Sequence, residues 1–487
     1  CPQIATAFTT HATYLGRAIS GNGLALYNDL ATFEPAAMAN RFNITSQQSM
    51  EYNAAQNADV FTTVSEVTAE ECKQFLQREP DVITINGINE SYILDEKTAS
   101  EKRKASREKI LSVLETLSGT KTSDDAFFII NSGRYEFKNK GIDLFINALG
   151  KLNKDQNLNK EVVAVIAVPA NISGIYKELQ YRLEGKKAVE GHTELPCTHH
   201  IFDYEYDAVL NSLRENGLQN NEGDKVKVIF VPSYLNGNDG IFNMPYYDLL
   251  CGLDLTLFPS YYEPWGYTPL ESVAFSIPTV TTSLAGFGKW VDDLDNGHKG
   301  VRVITRNDSN DASVVDAIVE SIERYATMGT KEYEEARTSA SEIAQKALWK
   351  NFAKYYEEAY GVALDRVVTR TNKAVYDGGN TNEQVNFVSQ QLFSSQPSWT
   401  RLMVEKSLPE RLRAMEILSK NLWWSWTLGA HELFEYVDEE LWAATSKNPI
   451  ALLDKLPYSR VKELEQDEKF LAKLDEVYAQ YRAYDYQ

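Results

Sequence analysis

Between about residue 126 and residue 305, short apolar runs alternate with segments of helical period, and this pattern predicts βαβ units around a buried parallel sheet. Strands are expected at AFFIINS, VVAVIAV, VKVIFVP, LDLTLFPS, IPTVTTS and VRVIT, with helices at DLFINALGKLN, YYDLLCG, TPLESVAFS and ASVVDAIVESIERYATMG. Residues 1 to 92 repeat the theme on a smaller scale. Their strands IATAFTT, ADVFTTV and DVITING, separated by helical stretches, read as the remainder of a second sheet domain. The stretch 94 to 118, LDEKTASEKRKASREKILSVLETLS, reads as a helix whose clustered Lys and Arg form a solvated face. Closing helices over 340 to 366 complete a larger α/β domain over 93 to 366. The Gln-, Asn- and Ser-rich span 367 to 400 reads as a linker, and 401 to 487 as an all-helical segment.

Composition narrows the class. A chain of 487 residues with 43% apolar and 11% aromatic residues supports several cores. Its net charge of −20 argues against nucleic acid or an anionic membrane as partner, because both require a basic surface. No run approaches the length of a membrane span and CPQIATAF has no signal-peptide order, so a cytoplasmic location is expected. The first residue is Cys1, and IATAFTTHATYLG reads as though it begins within a domain, which suggests a piece of a longer polypeptide. Four scattered cysteines give no disulfide framework.

Three stretches carry candidate chemistry. In FPSYYEPWGYTPLE, residues 258 to 271, a strand, an exposed Glu263 and a helix start follow one another. Thr268 reads as the N-cap, Pro269 as the first helical residue and Glu271 as the third, a capping box. Such an N-terminus can receive a diphosphate, or the two carboxylates can simply flank a core helix. In SGRYEFKNKG, Arg134 and Lys140 lie six residues apart on a loop after a strand, spaced either to grip a diphosphate or as surface cations. In TTHATYLGR, His11 and Arg17 follow another strand. HTELPCTHH invites a zinc reading, but its spacing fits no regular structural site and no second ligand pair follows.

TTHATYLGR, DVFTTVSEVTAEE, INGIN, GRYEFKNKGIDLFINALGKLN, LPCTHH, VKVIF and FPSYYEPWGYTPLESVAFSIPTVTTSLAGFG together resemble the glycogen synthases of glycosyltransferase family 3, in consistent order from residue 1 to about 360. The tail from LPERLRAMEILSKNLWWSW onward resembles the helical opening of one class of bacterial α-glucan phosphorylases.

The resemblance implies an α/β fold with two Rossmann-like domains of the GT-B type, the first incomplete. It implies retaining transfer of glucose from a nucleotide sugar, UDP-glucose or ADP-glucose with UDP-glucose favoured, to the 4-hydroxyl of an α-1,4-glucan such as glycogen, with no metal or cofactor. Arg17, Arg134 and Lys140 would hold the donor phosphates, Glu263 would face the transferred glucose and His11 would line its pocket. Backbone groups of Gly266, Tyr267 and Thr268 would face the phosphates, Glu271 the ribose, and Tyr246 and Tyr234 the base. A homo-oligomeric intact protein is expected. Family members also carry a glycine-rich loop in an N-terminal portion that is not in this sequence, so a fragment with an incomplete site, inactive alone, is expected. Eukaryotic relatives bind glucose 6-phosphate on an arginine-rich helix. The corresponding GTKEYEEARTS is acidic apart from Lys331 and Arg337, and such activation is not expected. The alternatives are a phosphorylase part, or a glucan-binding module that uses Trp423, Trp424 and Trp426.

Overall fold

The computed structural model describes residues 4–94, 96–155, 158–187, 196–294 and 299–376, and in the tail 436–444, 452, 457–464 and 466–472. The chain divides into two compact units, Cys1–Val368 and Thr369–Gln487. The first unit opens with a three-stranded parallel sheet of β1 (Ala7–Thr10), β2 (Val60–Thr63) and β3 (Val82–Ile83), in that order. Helices α1 (Tyr14–Gly21), α2 (Pro35–Arg41), α3 (Thr45–Asn57) and α4 (Glu66–Phe75) connect these strands. The long α5 (Glu96–Ser118) then leads into a larger sheet.

The chain then runs through β4 (Phe127–Ser132), α6 (Ile142–Asn153), β5 (Val162–Ala167), β6 (Ile172–Ile175), α7 (Lys177–Leu183), β7 (His199–Ile201), α8 (Ala208–Glu215) and β8 (Val226–Phe230). The chain continues through α9 (Tyr246–Leu250), β9 (Leu255–Leu257), α10 (Tyr267–Ala274), β10 (Thr279–Thr282), α11 (Gly286–Asp292), β11 (Val301–Ile304), α12 (Asp311–Thr327), α13 (Thr330–Lys346) and α14 (Trp349–Tyr376). Six strands lie parallel in the order β11-β10-β9-β4-β5-β8. The remaining two, β6 and β7, form a separate antiparallel pair.

The period of two along the strands explains why this sheet is buried on both faces. Phe128, Ile130, Val163 and Val165 enter one apolar core, while their neighbours Phe127, Ile129, Val162 and Ala164 enter the other. Every residue of β4 and β5 is buried. The order also fixes where a ligand can approach. From β4 the chain steps outward to β5 and β8, then returns to the other side of β4 as β9, so the switch point lies between β4 and β9.

One expectation is corrected. The basic residues of α5 do not form a solvated face throughout: Arg103 and Arg107 both reach Asp254, the residue before β9, and Arg103 also donates to the Leu253 carbonyl at 2.9 Å. The Asp254 carboxylate further accepts the Phe128 N–H at 2.8 Å, so its burial is compensated from both sides. Periodicity misses this because a buried acid outside the helix is what turns the arginines inward. The LPCTHH stretch contributes a short strand, β7, which pairs with β6. A Gly174 with φ of 142° and a register shift beside it break the alternation that would have marked β6.

In the tail, the described helices are α15 (Glu439–Ala444), which carries a buried Trp442, and α16 (Tyr458–Leu464). No helix among the described residues is long and apolar enough to cross a membrane.

The two loops approach closely at Gly141, which has φ of 64° and caps α6. A Cβ there would lie 2.0 Å from the Pro259 carbonyl oxygen. Gly141→Ala combines left-handed strain with a backbone clash and is expected to lower the unfolding free energy by more than about 2 kcal/mol. The denaturant midpoint of the variant checks this.

Candidate functional site

The loops that leave β4 and β9 at the switch point are joined through their backbones. The Asn139 carbonyl accepts the N–H groups of Tyr261 at 2.8 Å and Tyr262 at 3.1 Å, and Arg306 donates to the Pro259 carbonyl. This seam brings the end of SGRYEFKNKG against the start of YYEPWG. Lys140 and Glu263 form an ion pair between Nζ and Oε2, with side chains only 11% and 13% exposed. From the other side, the N–H of Gly286 donates to the Glu263 carbonyl at 3.0 Å and that of Phe287 to the Trp265 carbonyl at 2.7 Å. Both backbone edges around Glu263 are therefore fixed before any ligand arrives.

The smaller sheet supplies the facing wall. After β1 the chain passes His11 and enters α1, whose Arg17 extends toward the loop after β4. There Glu136 is the common partner: its Oε1 takes Arg17 at 3.2 Å and Arg134 at 3.0 Å. Arg17 also lies over the ring of Tyr262, 5.7 Å from its centroid. Tyr261 and Asp308 extend the seam to residues 26 to 28, with the Leu26 N–H donating to the Tyr261 hydroxyl at 2.9 Å and the Asn28 N–H to Asp308 at 2.6 Å.

Between the walls is a cavity of about 300 Å³. His11, Arg17, Arg134, Lys140, Glu263, Gly266, Tyr267 and Thr268 all line it, so eight of the eleven site residues named from sequence converge there. Tyr234, Tyr246 and Glu271 are not among its lining residues. Tyr234 is 75% exposed. Tyr246 lies one layer back, its hydroxyl 2.8 Å from Ser132, which does line the cavity. Asn86, Ser132 and Ser260 also line the cavity and were not named as site residues, although INGIN, the stretch containing Asn86, is one of the resembling stretches. Glu136 was missed too. Its place between two candidate cations in GRYEFKNKG was the available signal.

The start of α10 differs from the expected capping box. The cap is Gly266, with φ of 112°, and the helix begins at Tyr267, so Thr268 is its second residue and no side chain caps it. The left-handed glycine turns the chain two residues earlier than a Thr268 cap would. Glu271 instead accepts the Tyr247 hydroxyl at 2.8 Å, and burial raises its pKa above the usual carboxylate range. Glycine at the cap leaves the first N–H groups of the helix without side-chain partners along the cavity rim.

The residues weighed for other chemistry have other partners. Cys197 donates to the His199 carbonyl at 3.2 Å, while the His199 ring contacts the Thr198 hydroxyl at 2.7 Å and the Asp239 carbonyl at 2.9 Å. No group of three or more His, Cys, Asp or Glu among the described residues could hold a metal ion. His192 and Trp423, Trp424 and Trp426 lie outside the described residues.

The glycogen synthase family model matches residues 2–190 and 186–413, and a family described as a protein of unknown function (DUF3417) matches residues 408–487. The chain is 31% identical over 434 residues to a glycogen [starch] synthase of Caenorhabditis elegans, covering 77% of this chain and 64% of that protein. It is likewise 31% identical over 433 residues to glycogen [starch] synthase isoform 2 of Saccharomyces cerevisiae, covering 75% and 61%. The chain thus spans about three fifths of the length of the curated relatives it matches. Among solved structures it is similar to WaaG, a glycosyltransferase involved in lipopolysaccharide biosynthesis, with a TM-score of 0.42 and 15% identity over 74% of this chain and 76% of that one.

The Tyr247 contact separates two roles for Glu271. Glu271→Ala removes the acceptor for a hydroxyl whose ring stacks on Phe275, and is expected to cost about 1–3 kcal/mol of stability. Glu271→Gln keeps an acceptor and is expected to cost less than about 1 kcal/mol, as thermal unfolding of both variants will measure.

Proposed function

The chain belongs to the glycogen synthase family, and from that premise we propose that its parent protein transfers glucose from a nucleotide sugar to the 4-hydroxyl of an α-1,4-glucan end, retaining the α configuration. In this reading the cavity between the two sheets takes the donor. The observation that carries it is the convergence of Arg17, Arg134 and Lys140 with Glu263 at the switch point of a chain whose net charge is −20. An acidic protein that binds an anion needs such a local concentration of cations.

The chemistry follows from where charge develops. As the bond between glucose and the diphosphate lengthens, negative charge grows on the leaving group, and cations already fixed beside it lower the barrier. Arg134 and Arg17 carry that role, with the rim of α10 adding its N–H groups and the positive end of its dipole. Lys140 shares its charge between the phosphate side and Glu263. The Glu263 carboxylate faces the positive charge that builds on the sugar carbon. Glu136 holds the two arginines together on one carboxylate oxygen until a diphosphate competes for them. UDP-glucose is the donor favoured by the family resemblance, and neither a metal nor a cofactor has a part in this scheme.

For the tail, we propose that residues 401–487 correspond to the opening segment of an α-glucan phosphorylase part. The support is the resemblance of LPERLRAMEILSKNLWWSW and the residues after it.

The transferase reading predicts that Arg134→Ala and Glu263→Ala each lower kcat of the full-length protein at least about a hundredfold, the scale of losing one electrostatic contact made in the transition state. Radiolabelled glucose incorporation into glycogen measures this. Near-wild-type turnover in both variants would refute the assignment.

A further inference from the structure

Glu71, on α4, is a carboxylate that the proposed chemistry leaves unused, although it is only 1% exposed. A carboxyl group is placed in such an interior only when its oxygens find donors. Both of its recorded side-chain donors act on a single oxygen. Oε2 accepts the Thr13 hydroxyl at 2.6 Å and the Tyr262 hydroxyl at 3.0 Å.

Each of those two hydroxyls leads to a different wall of the cleft. Thr13 is the N-cap of α1, and its Oγ1 also accepts the Gly16 N–H at 2.9 Å, so it sets the first turn of the helix that carries Arg17. Tyr262 immediately precedes Glu263, and its N–H is bound to the Asn139 carbonyl of the Lys140 loop. The fit is tight: a Cβ on residue 16 would stand 2.0 Å from Glu71 Oε2, so α1 lies over this carboxyl only because that residue is Gly16. Arg17 lies on the Tyr262 ring.

We propose that Glu71 is a positioning residue of the cleft, a buried carboxyl that acts through Thr13 and Tyr262 to set Arg17 on one wall against Glu263 on the other. The inference rests on the reading of the cleft as a nucleotide-sugar site. Glu71 itself does not line the cavity, so its effect on the reaction is indirect. A displacement of about 1 Å in a charge that acts on the transition state costs rate more than ground-state binding.

The same burial makes the contact sensitive to pH. Desolvation pushes Glu71 up to about 7; hydrogen bonds from Thr13 and Tyr262 oppose it, Glu51 on α3 adds to it and Arg17 on α1 reduces it. Tyr27 and Cys72 also face the group, and both have pKa values raised by burial with Glu71 as a further cause. The folded chain therefore holds a proton that the unfolded chain has lost. Stability from this group is full below 4.5, the carboxyl's ordinary value, and falls as pH rises to about 7.

The test uses the full-length protein with Glu71→Leu, which leaves Thr13 and Tyr262 without an acceptor, Tyr262→Phe and the double variant. It measures kcat and KM for glucosyl transfer, UDP affinity by calorimetry, and thermal midpoints across pH. Each single variant is expected to lower kcat about tenfold or more, with UDP affinity and KM changed less than about threefold, and the double variant to fall little further than the worse single one. Glu71→Leu is also expected to flatten the fall in midpoint between about pH 5 and pH 7. Tyr262→Phe removes one oxygen and keeps the ring, so it reports even if the Glu71 variant fails to fold. A kcat within twofold of wild type in Tyr262→Phe, or losses that simply add in the double variant, would overturn the proposal. Wild-type protein that neither binds UDP nor transfers glucose would overturn the cleft reading and this inference with it.

Discussion

The arrangement depends on one backbone contact, the seam where the loop after β4 meets the loop after β9. Parallel strands end side by side at the switch point, and their loops must either diverge or pack. Here they pack, because Gly141 adopts a left-handed conformation with no side chain to strike the Pro259 carbonyl, and because the Asn139 carbonyl takes two N–H groups from the opposing loop. Lys140 and Glu263 are adjacent to this seam, so their pairing follows from the backbone and does not depend on chance rotamers. Neither residue needs ligand to find the other.

The charges around the cavity are organised by what remains unneutralised. Three cations, Arg17, Arg134 and Lys140, meet two carboxylates, Glu136 and Glu263. Two of the cations are partly exposed and share one carboxylate across the gap, a weak arrangement that an incoming polyanion can displace. The Lys140 pair is more deeply set and so is screened less by solvent. Behind it, Tyr261 and Tyr262 enter the apolar cluster formed by Leu15, Ile19, Leu26 and Phe75, which ties the motif carrying Glu263 to the smaller sheet. One short stretch of sequence thereby joins both walls.

The strands were readable because burial on both faces produces continuous apolar runs, and the site loops because each follows such a run. Arg134, Lys140, Glu263 and His11 could be named from those positions. Three features were not accessible in this way. The inward turn of Arg103 and Arg107 depends on Asp254, about 150 positions away in sequence, and no local period encodes it. The helix start at Tyr267 depends on a left-handed Gly266, which sequence spacing assigned to a turn ahead of a Thr268 cap. Glu71 belongs to one of the helical stretches between the strands of residues 1 to 92, where no motif marks it, and its partner Tyr262 is 191 positions away. Contacts between distant segments define the second layer of this site, whereas local pattern defines the first.

Hydrogen exchange of the full-length protein with and without UDP tests the central claim, that a nucleoside diphosphate is held between the two sheets at the β4–β9 switch point. The account predicts that UDP slows exchange in peptides covering residues 11–17, 132–141 and 260–268, which come from both walls and the α10 rim. Protection confined to other segments, or none at saturating UDP, would contradict it.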